Sequence, residues 1–240
     1  AQSADESSGT IGQVSIRFNQ IVGQSQFIGL NFDYLYKEVG APVSSFNLKV
    51  NLFSSDIIGD ISIKENTTIR LRVGFNKNSI KGNTVINYSS GSKDTYNADI
   101  KQTIITIAPG IAEHFKKDKL LFTLGVELPV DFISETKLTS ENIYYSAFDS
   151  TTSKYSVNVT LDGGFSFGLG TFVGVSYTLF HNFSVGSELS YGIKYVNFGG
   201  DVKIEAYDDE ILDFSQTDEL KIRGFAMIPF KASLVLSYSF

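Results

Sequence analysis

The sequence predicts an all-β chain: a closed antiparallel up-and-down barrel of eight strands that spans a membrane. Three observations predict it. Apolar residues recur at every second position over long stretches. The links between those stretches alternate short and long. The faces opposite the apolar ones are mostly Gly, Ser, Asn and Thr with isolated charges of both signs. A period of two belongs to a strand and not to a helix.

The elements follow in chain order. Val14 to Phe18 alternates and either extends the first strand or forms one of its own. The first strand sets Ile28, Leu30, Phe32, Tyr34 and Tyr36 against Gly29, Asn31 and Asp33. The second sets Phe46, Leu48, Val50 and Leu52 against Asn47, Lys49 and Asn51. In the third, Ile69, Leu71, Val73 and Phe75 alternate with Arg70 and Arg72. The fourth, Ile100 to Phe115, slips in parity near Ile104-Ile105, which predicts a β-bulge there. The fifth alternates from Leu120 to Phe132, with Glu127 and Asp131 on the polar side. The sixth keeps odd apolar parity from Tyr155 to Leu179, straight through Gly163-Gly164. The seventh runs from Phe183 to Tyr195, with Glu188 and Lys194 opposite the apolar face. The eighth keeps even apolar parity from Leu220 to Phe240, against Lys221, Arg223 and Lys231. Breaks after Phe18 and at Asp162-Gly163-Gly164 would raise the count to ten strands.

Links near 55–65, 116–118 and 181–182 read as short; those near 79–95, 134–154 and 199–218 read as long and rich in Ser, Thr, Asn, Asp and Tyr. The link at 38–43 is short where a long one is due. Such alternation is expected when one barrel end carries turns and the other loops, and it sets both termini at the turn end.

Composition narrows the function classes. The chain has 240 residues, 19% of them charged, with a formal net charge of −6. It carries no basic stripe to neutralise phosphates, so no nucleic-acid partner is expected. Cys is absent, which removes disulfides and thiolate sites together. No apolar run approaches the ~20 residues of a membrane-spanning helix, whereas a spanning strand needs only about 9–11. Residues 1–13 read as a flexible segment left after signal-peptide cleavage, and 14–240 as one barrel domain.

Alternation alone does not say which face is buried. Long strands, weak surface character on the polar faces and charges concentrated in the loops favour apolar residues outward. The expected interior is then an ion-pair network, with Asp33, Glu127, Asp131, Asp162 and Glu188 answering Lys49, Arg70, Arg72, Lys194, Lys221, Arg223 and Lys231. Gly164, Gly168, Gly170 and Gly174 would leave room for long side chains crossing the lumen. Tyr34, Tyr36, Phe132, Tyr155, Tyr195, Phe198 and Tyr238 are the expected interfacial aromatics.

The terminal run Leu234-Val235-Leu236-Ser237-Tyr238-Ser239-Phe240 resembles the C-terminal signature of outer-membrane barrels. The strand and link pattern, with Ile107-Ala108-Pro109-Gly110-Ile111 and its following hairpin, is similar to small OmpA/OmpX-type barrels and the general outer-membrane β-barrel domain family. This resemblance implies the outer membrane of a Gram-negative bacterium, and Leu234, Leu236, Tyr238 and Phe240 as the signal read by the barrel-assembly machinery. It also implies contact with outer-membrane lipids and lipopolysaccharide, and partnership in a larger outer-membrane complex.

The function expected is non-enzymatic: an envelope structural protein or a scaffold for surface loops in adhesion, with no cofactor and no metal. The sequence holds two histidines, His114 and His181, both beside predicted turns, and neither forms the His-x-Ser of the lipid-modifying barrel enzymes. Glu127 and Asp131 lie on one face about 13 Å apart, too far to share a proton. Asp208-Asp209-Glu210 reads as a solvated acidic loop rather than a cation site. A narrow pore, or a conduit for a small apolar ligand lined by Phe172, Phe225 and Met227, is the alternative.

Overall fold

The computed structural model describes residues 13–20, 47–180 and 182–239, with side chains from 55 onward apart from 229 and 230. Asp33, Tyr34, Tyr36, His181, Phe240 and the Lys49 side chain lie outside the described residues.

Every regular element among the described residues is a strand, and all pairings are antiparallel. The strands are β1 (Gln13–Gln20), β2 (Asn47–Lys64), β3 (Thr67–Asn87), β4 (Lys93–Lys117), β5 (Leu120–Glu127), β6 (Val130–Ile133), β7 (Thr136–Tyr145), β8 (Thr152–Leu161), β9 (Gly164–Phe180), β10 (Phe183–Asp208) and β11 (Ile211–Ser239). Pairing runs β1–β2–β3–β4. Along its length β4 then pairs β5, β6 and β7. β5 and β6 pair β9, and β7 pairs β8. Both β8 and β9 pair β10, β10 pairs β11, and β11 pairs β1. The neighbour order therefore returns to its start.

The alternation is visible in side-chain exposure. On β3, Ile69, Leu71, Val73 and Phe75 point outward while Thr68, Arg70, Arg72 and Asn76 are buried. The same outward face carries Ile105, Ile107 and Ile111 on β4, Phe122, Leu124 and Val126 on β5, and Phe167, Leu169, Val173 and Val175 on β9. Aromatic residues bound this band. At one edge Phe75 is level with Ile105, Ile105 with Phe132, and Phe132 with Phe165. Tyr195 lies between Phe167 and Phe225, with ring centroids 5.6 and 5.5 Å away. At the other edge Phe115 is level with Phe122, and Phe180 stacks on Phe183 at 5.4 Å. Ile105 and Phe115 are ten residues apart on β4. At about 3.4 Å per residue and a tilt near 40°, that is a band about 25 Å tall.

Above the Phe75 edge the polarity inverts. The outer face becomes Lys77, Lys81, Lys101, Lys137 and Lys203, while Ile80, Ile100 and Leu138 pack inside. This corrects three expectations. The long links are mostly strand: the true connections are 88–92, 146–151 and 209–210. Asp209 and Glu210, both at positive φ, make a two-residue turn of the kind that suits a hairpin. The bulge expected at Ile104-Ile105 is absent, since the β3–β4 register runs without a shift. Parity slips there because Ile104 joins the interior and Ile105 the outer band. The link read at 55–65 is strand as far as Lys64.

Where facing does slip, the sequence hides it. Exposure changes phase at Ser134-Glu135 and at Asp162-Gly163, and the β10–β11 register shifts between Ser190 and Gly192, opposite Lys231 and Ile228. That last bulge holds Pro229, whose missing N–H is tolerated where ladder pairing lapses. Phe225 and Met227 consequently point outward, at 78% and 63% exposure, and not into the interior as parity implied. Phe198 is fully buried inside and is not an interfacial aromatic.

Gly125 shows how tightly the interior packs. A Cβ there would meet the Phe172 ring and the Ile111 carbonyl oxygen. Gly125→Val is expected to cost about 1–3 kcal/mol by overpacking, read as a lower urea midpoint of the folded protein in lipid vesicles. An unchanged midpoint would show that the Phe172 ring moves freely.

Candidate functional site

The charged side chains of this network come from six strands, β2, β3, β5, β6, β10 and β11. Arg70 sits opposite Asp60 across the β2–β3 ladder, and its Nε donates to Asp60 Oδ1 at 2.9 Å. Its Nη1 reaches β10 and donates to Glu188 Oε2 at 2.8 Å. The Arg70 guanidinium also lies 4.1 Å over the centre of the Phe172 ring. Arg72, on the same face of β3, donates through Nε to Glu127 Oε2 at 3.0 Å and through Nη2 to Glu127 Oε1. Its Nη1 lies 3.6 Å from Asp56 Oδ2. Two parallel N–H bonds on one carboxylate hold the fork in a fixed plane.

Asp131 on β6 is held three ways. Lys194 Nζ donates at 2.8 Å, Thr106 Oγ1 at 2.7 Å and Ser166 Oγ at 2.6 Å. Thr106 and Ser166 are its register neighbours on either side, so the sheet places both hydroxyls. Lys231 faces a cavity of about 30 Å³ that Arg72, Glu127, Asp131 and Lys194 also line. That space suits a couple of waters.

Small residues make these crossings possible. Glu127 has Gly110 and Gly170 as its register partners, and Gly174 stands opposite Glu188. A Cβ at Gly170 would come within 3.1 Å of Glu127 Cγ, and one at Gly174 within 3.5 Å of Glu188 Cγ.

The structure thus brings together Arg70, Arg72, Glu127, Asp131, Glu188, Lys194 and Lys231. It adds Asp56 and Asp60, buried at 2% and 4% exposure, which were read as part of a turn. Their signal was present: Ile57, Ile61 and Ile63 alternate with Asp56, Asp60 and Ser62. Three expected members lie elsewhere. Lys221 is exposed and pairs with Glu219; Arg223 donates to Asn197 Oδ1 at 3.1 Å on the outer face. The phase change at Pro229 turned both outward. Asp162 is exposed and accepts the Asp201 backbone N–H at 3.0 Å.

Above the charged layer, Ile104, Ile133, Leu161, Val196 and Phe198 form a buried apolar cluster on β4, β6, β8 and β10, joined by Val202 and Ile222. Below it, His114 bridges two hydroxyls, with Nε2 at 2.9 Å from Thr68 Oγ1 and Nδ1 at 3.1 Å from Thr123 Oγ1. Both ring nitrogens are thereby engaged in linking neighbouring strands. Glu127 and Asp131 answer different cations, so they do not act as a pair.

No family model matches the chain, and no curated protein matches it. Among solved structures it is similar to Neisserial surface protein A, at 12% identity over 96% of this chain and 97% of that one, with a TM-score of 0.37. It is also similar to the outer membrane protein OprG from Pseudomonas aeruginosa, at 14% identity over 96% of each chain and a TM-score of 0.41. The outer membrane protease OmpT from Escherichia coli matches at 9% identity over 97% and 94%, with a TM-score of 0.27. None of the residues above takes a role from these proteins.

Proposed function

We propose that this chain is a non-enzymatic β-barrel of a Gram-negative outer membrane, in which a filled wall anchors long hairpins at the cell surface. Taking β5–β7 as one stave and β8–β9 as another, the ring of pairings has eight staves. Such closure satisfies every backbone N–H and C=O in lipid, which an open sheet cannot do. The observation that carries the reading is the outer apolar band about 25 Å tall, bounded by aromatics on both edges and lined inside by ion pairs.

The role follows from what fills the wall. Arg70, Arg72 and Lys194 tie β2 and β3 to β10 and β5, and β10 to β6, so the interior is crossed by struts. The Phe198 cluster adds a second, apolar layer above them on β4, β6, β8 and β10. A solute path would have to break both layers, which favours scaffold over pore. The hairpins β3–β4, β7–β8 and β10–β11 rise past the band and offer contacts for adhesion or for a larger envelope complex. On this reading the turns at 65–66 and 118–119 face the periplasm. Leu234 and Tyr238, exposed on the outer face of β11, belong to the strand the assembly machinery would read.

The expected result is extraction only by detergent, faster migration of the unboiled protein on gels, and no steady conductance in planar bilayers. A protein that stays soluble and monomeric without detergent would overturn the barrel. A steady open level would overturn the filled scaffold while leaving the barrel standing.

A further inference from the structure

Six carboxylates are buried among the described residues: Asp56, Asp60, Asp94, Glu127, Asp131 and Glu188. Five of them meet Arg70, Arg72 or Lys194 in the charged layer. Asp94 is the exception. It lies high on β4, well above the Phe75 edge, at 7% exposure. Its hydrogen-bond donor is neutral: Tyr88 Oη donates to Asp94 Oδ2 at 2.5 Å. A buried charge held by one hydroxyl is costly unless a cation joins it.

The ladders set Asp94 in an aromatic cup on the inward face. Tyr144 on β7 is directly opposite it. The next row down is Tyr96, Asn142 and Tyr155, level across β4, β7 and β8. Side chains opposite one another in this way have Cβ atoms about 4.5–5.5 Å apart. The Asn142 Oδ1 atom is buried and has no hydrogen-bond donor among the described residues. Burial, and then the nearby Asp94, push the Tyr96 phenol up from its ordinary value. The Tyr88 phenol is pushed up to about 12, chiefly by its bond to Asp94. Both phenols therefore stay neutral, and Asp94 supplies the negative charge. Lys81, Lys93, Lys101, Lys137 and Lys154 all have the opposite parity on these strands and face outward. Below the tyrosines comes a row of small residues, Gly82, Ala98 and Ser140. Beneath that row lies the apolar floor of Ile80, Ile100 and Leu138.

We propose that this cup binds a small primary alkylammonium ion. The ammonium meets the Asp94 carboxylate, donates to Asn142 Oδ1 and lies against the tyrosine rings, whose faces attract cations. Its chain runs down over Gly82, Ala98 and Ser140 toward the apolar floor. One row to the next is two residues, or about 7 Å, which a chain of about four carbons spans. The cup itself needs only the ladders; that it opens to the cell exterior rests on the membrane reading above.

The test is calorimetric titration of the full chain, folded in an uncharged detergent, with n-butylammonium, tetramethylammonium and n-butanol. The wild type should bind n-butylammonium and take the other two at least tenfold more weakly. Tetramethylammonium has no N–H to donate, and n-butanol has no charge. Asp94→Asn should weaken n-butylammonium binding at least tenfold. Tyr144→Ala should weaken it at least fivefold, while Tyr144→Phe, which keeps the ring, should change it less than twofold. Asp99→Asn, on the outer face, should also change it less than twofold. No binding by the wild type, or undiminished binding by Asp94→Asn, would overturn the proposal. Equal affinity for n-butanol would overturn it by reducing the cup to an apolar recess. Equal affinity for tetramethylammonium would overturn the hydrogen-bonded ammonium. Heat-modified migration is read on every variant to show that it is folded. If the wild type lacks that shift yet binds n-butylammonium, the barrel reading fails and the cup stands. If the shift is present and binding is absent, only the cup fails.

Discussion

Replacing Arg72 by alanine should be the most damaging single change inside the wall, costing about 3–5 kcal/mol. The substitution removes both bonds to Glu127 and the contact with Asp56, and leaves the Glu127 carboxylate, at 5% exposure, without the cation that holds it. Most of the cost is the uncompensated charge and not the lost bonds. Arg72→Ala combined with Glu127→Gln should therefore recover a substantial part of it. Arg72→Lys should fall between, because one ammonium cannot reproduce the parallel pair on Glu127. Equilibrium urea unfolding in lipid vesicles measures all four proteins. A loss under about 0.5 kcal/mol for Arg72→Ala would mean that water already satisfies this carboxylate, and the interior would then be wet.

The second large effect is on the outer face. Leu71→Arg puts a guanidinium near the middle of the apolar band, where Leu71 is level with Pro109. The expected cost is about 2–4 kcal/mol, the figure for a cation at the midplane of a lipid-facing wall. Val85→Arg changes the same face of the same strand beyond the aromatic edge, and both residues are similarly exposed, at 48% and 42%. In water that substitution should stay within about 0.5 kcal/mol of neutral. The contrast between two equally exposed positions isolates depth from packing. Equal costs at Leu71 and Val85 would remove the membrane boundary drawn at Phe75.

Much of the fold was legible in the sequence, because period two is set by backbone geometry and survives any environment. The direction in which a parity class points was less legible. At Asp162-Gly163 and at Pro229-Phe230 the chain changes phase while its outer face also passes from apolar to polar, and its inner face from polar to apolar. Both changes reverse the preference for a given parity, so their effects cancel in the sequence. Leu161 and Val173 look like one face, yet Leu161 is buried and Val173 is exposed. Ile222 and Leu234 share even parity, but Ile222 packs with the interior cluster while Leu234 is exposed. The assignment of Lys221 and Arg223 to the interior failed for this reason. Lys194 and Asp131, on the near side of every phase change, fell where parity put them. Asp56 and Asp60 were missed because Ser54-Ser55-Asp56 and Gly59-Asp60 carry turn chemistry when read without their partners. The ladders with β1 and β3 make them strand.

The inverted upper wall also bears on how the protein reaches its place. The stretch 201–219 of β10 and β11 contains eight carboxylates, and most of its side chains face water in the finished structure. For the outer-membrane barrel proposed above, insertion from the periplasm would carry this hairpin across hydrocarbon that it does not inhabit afterwards. Charged groups cross such a layer only at high cost. The β10–β11 tip therefore sets the barrier to unassisted insertion, and that barrier grows with bilayer thickness while the stability of the inserted barrel need not. The part of the chain with least stake in the membrane governs how fast the rest can enter it.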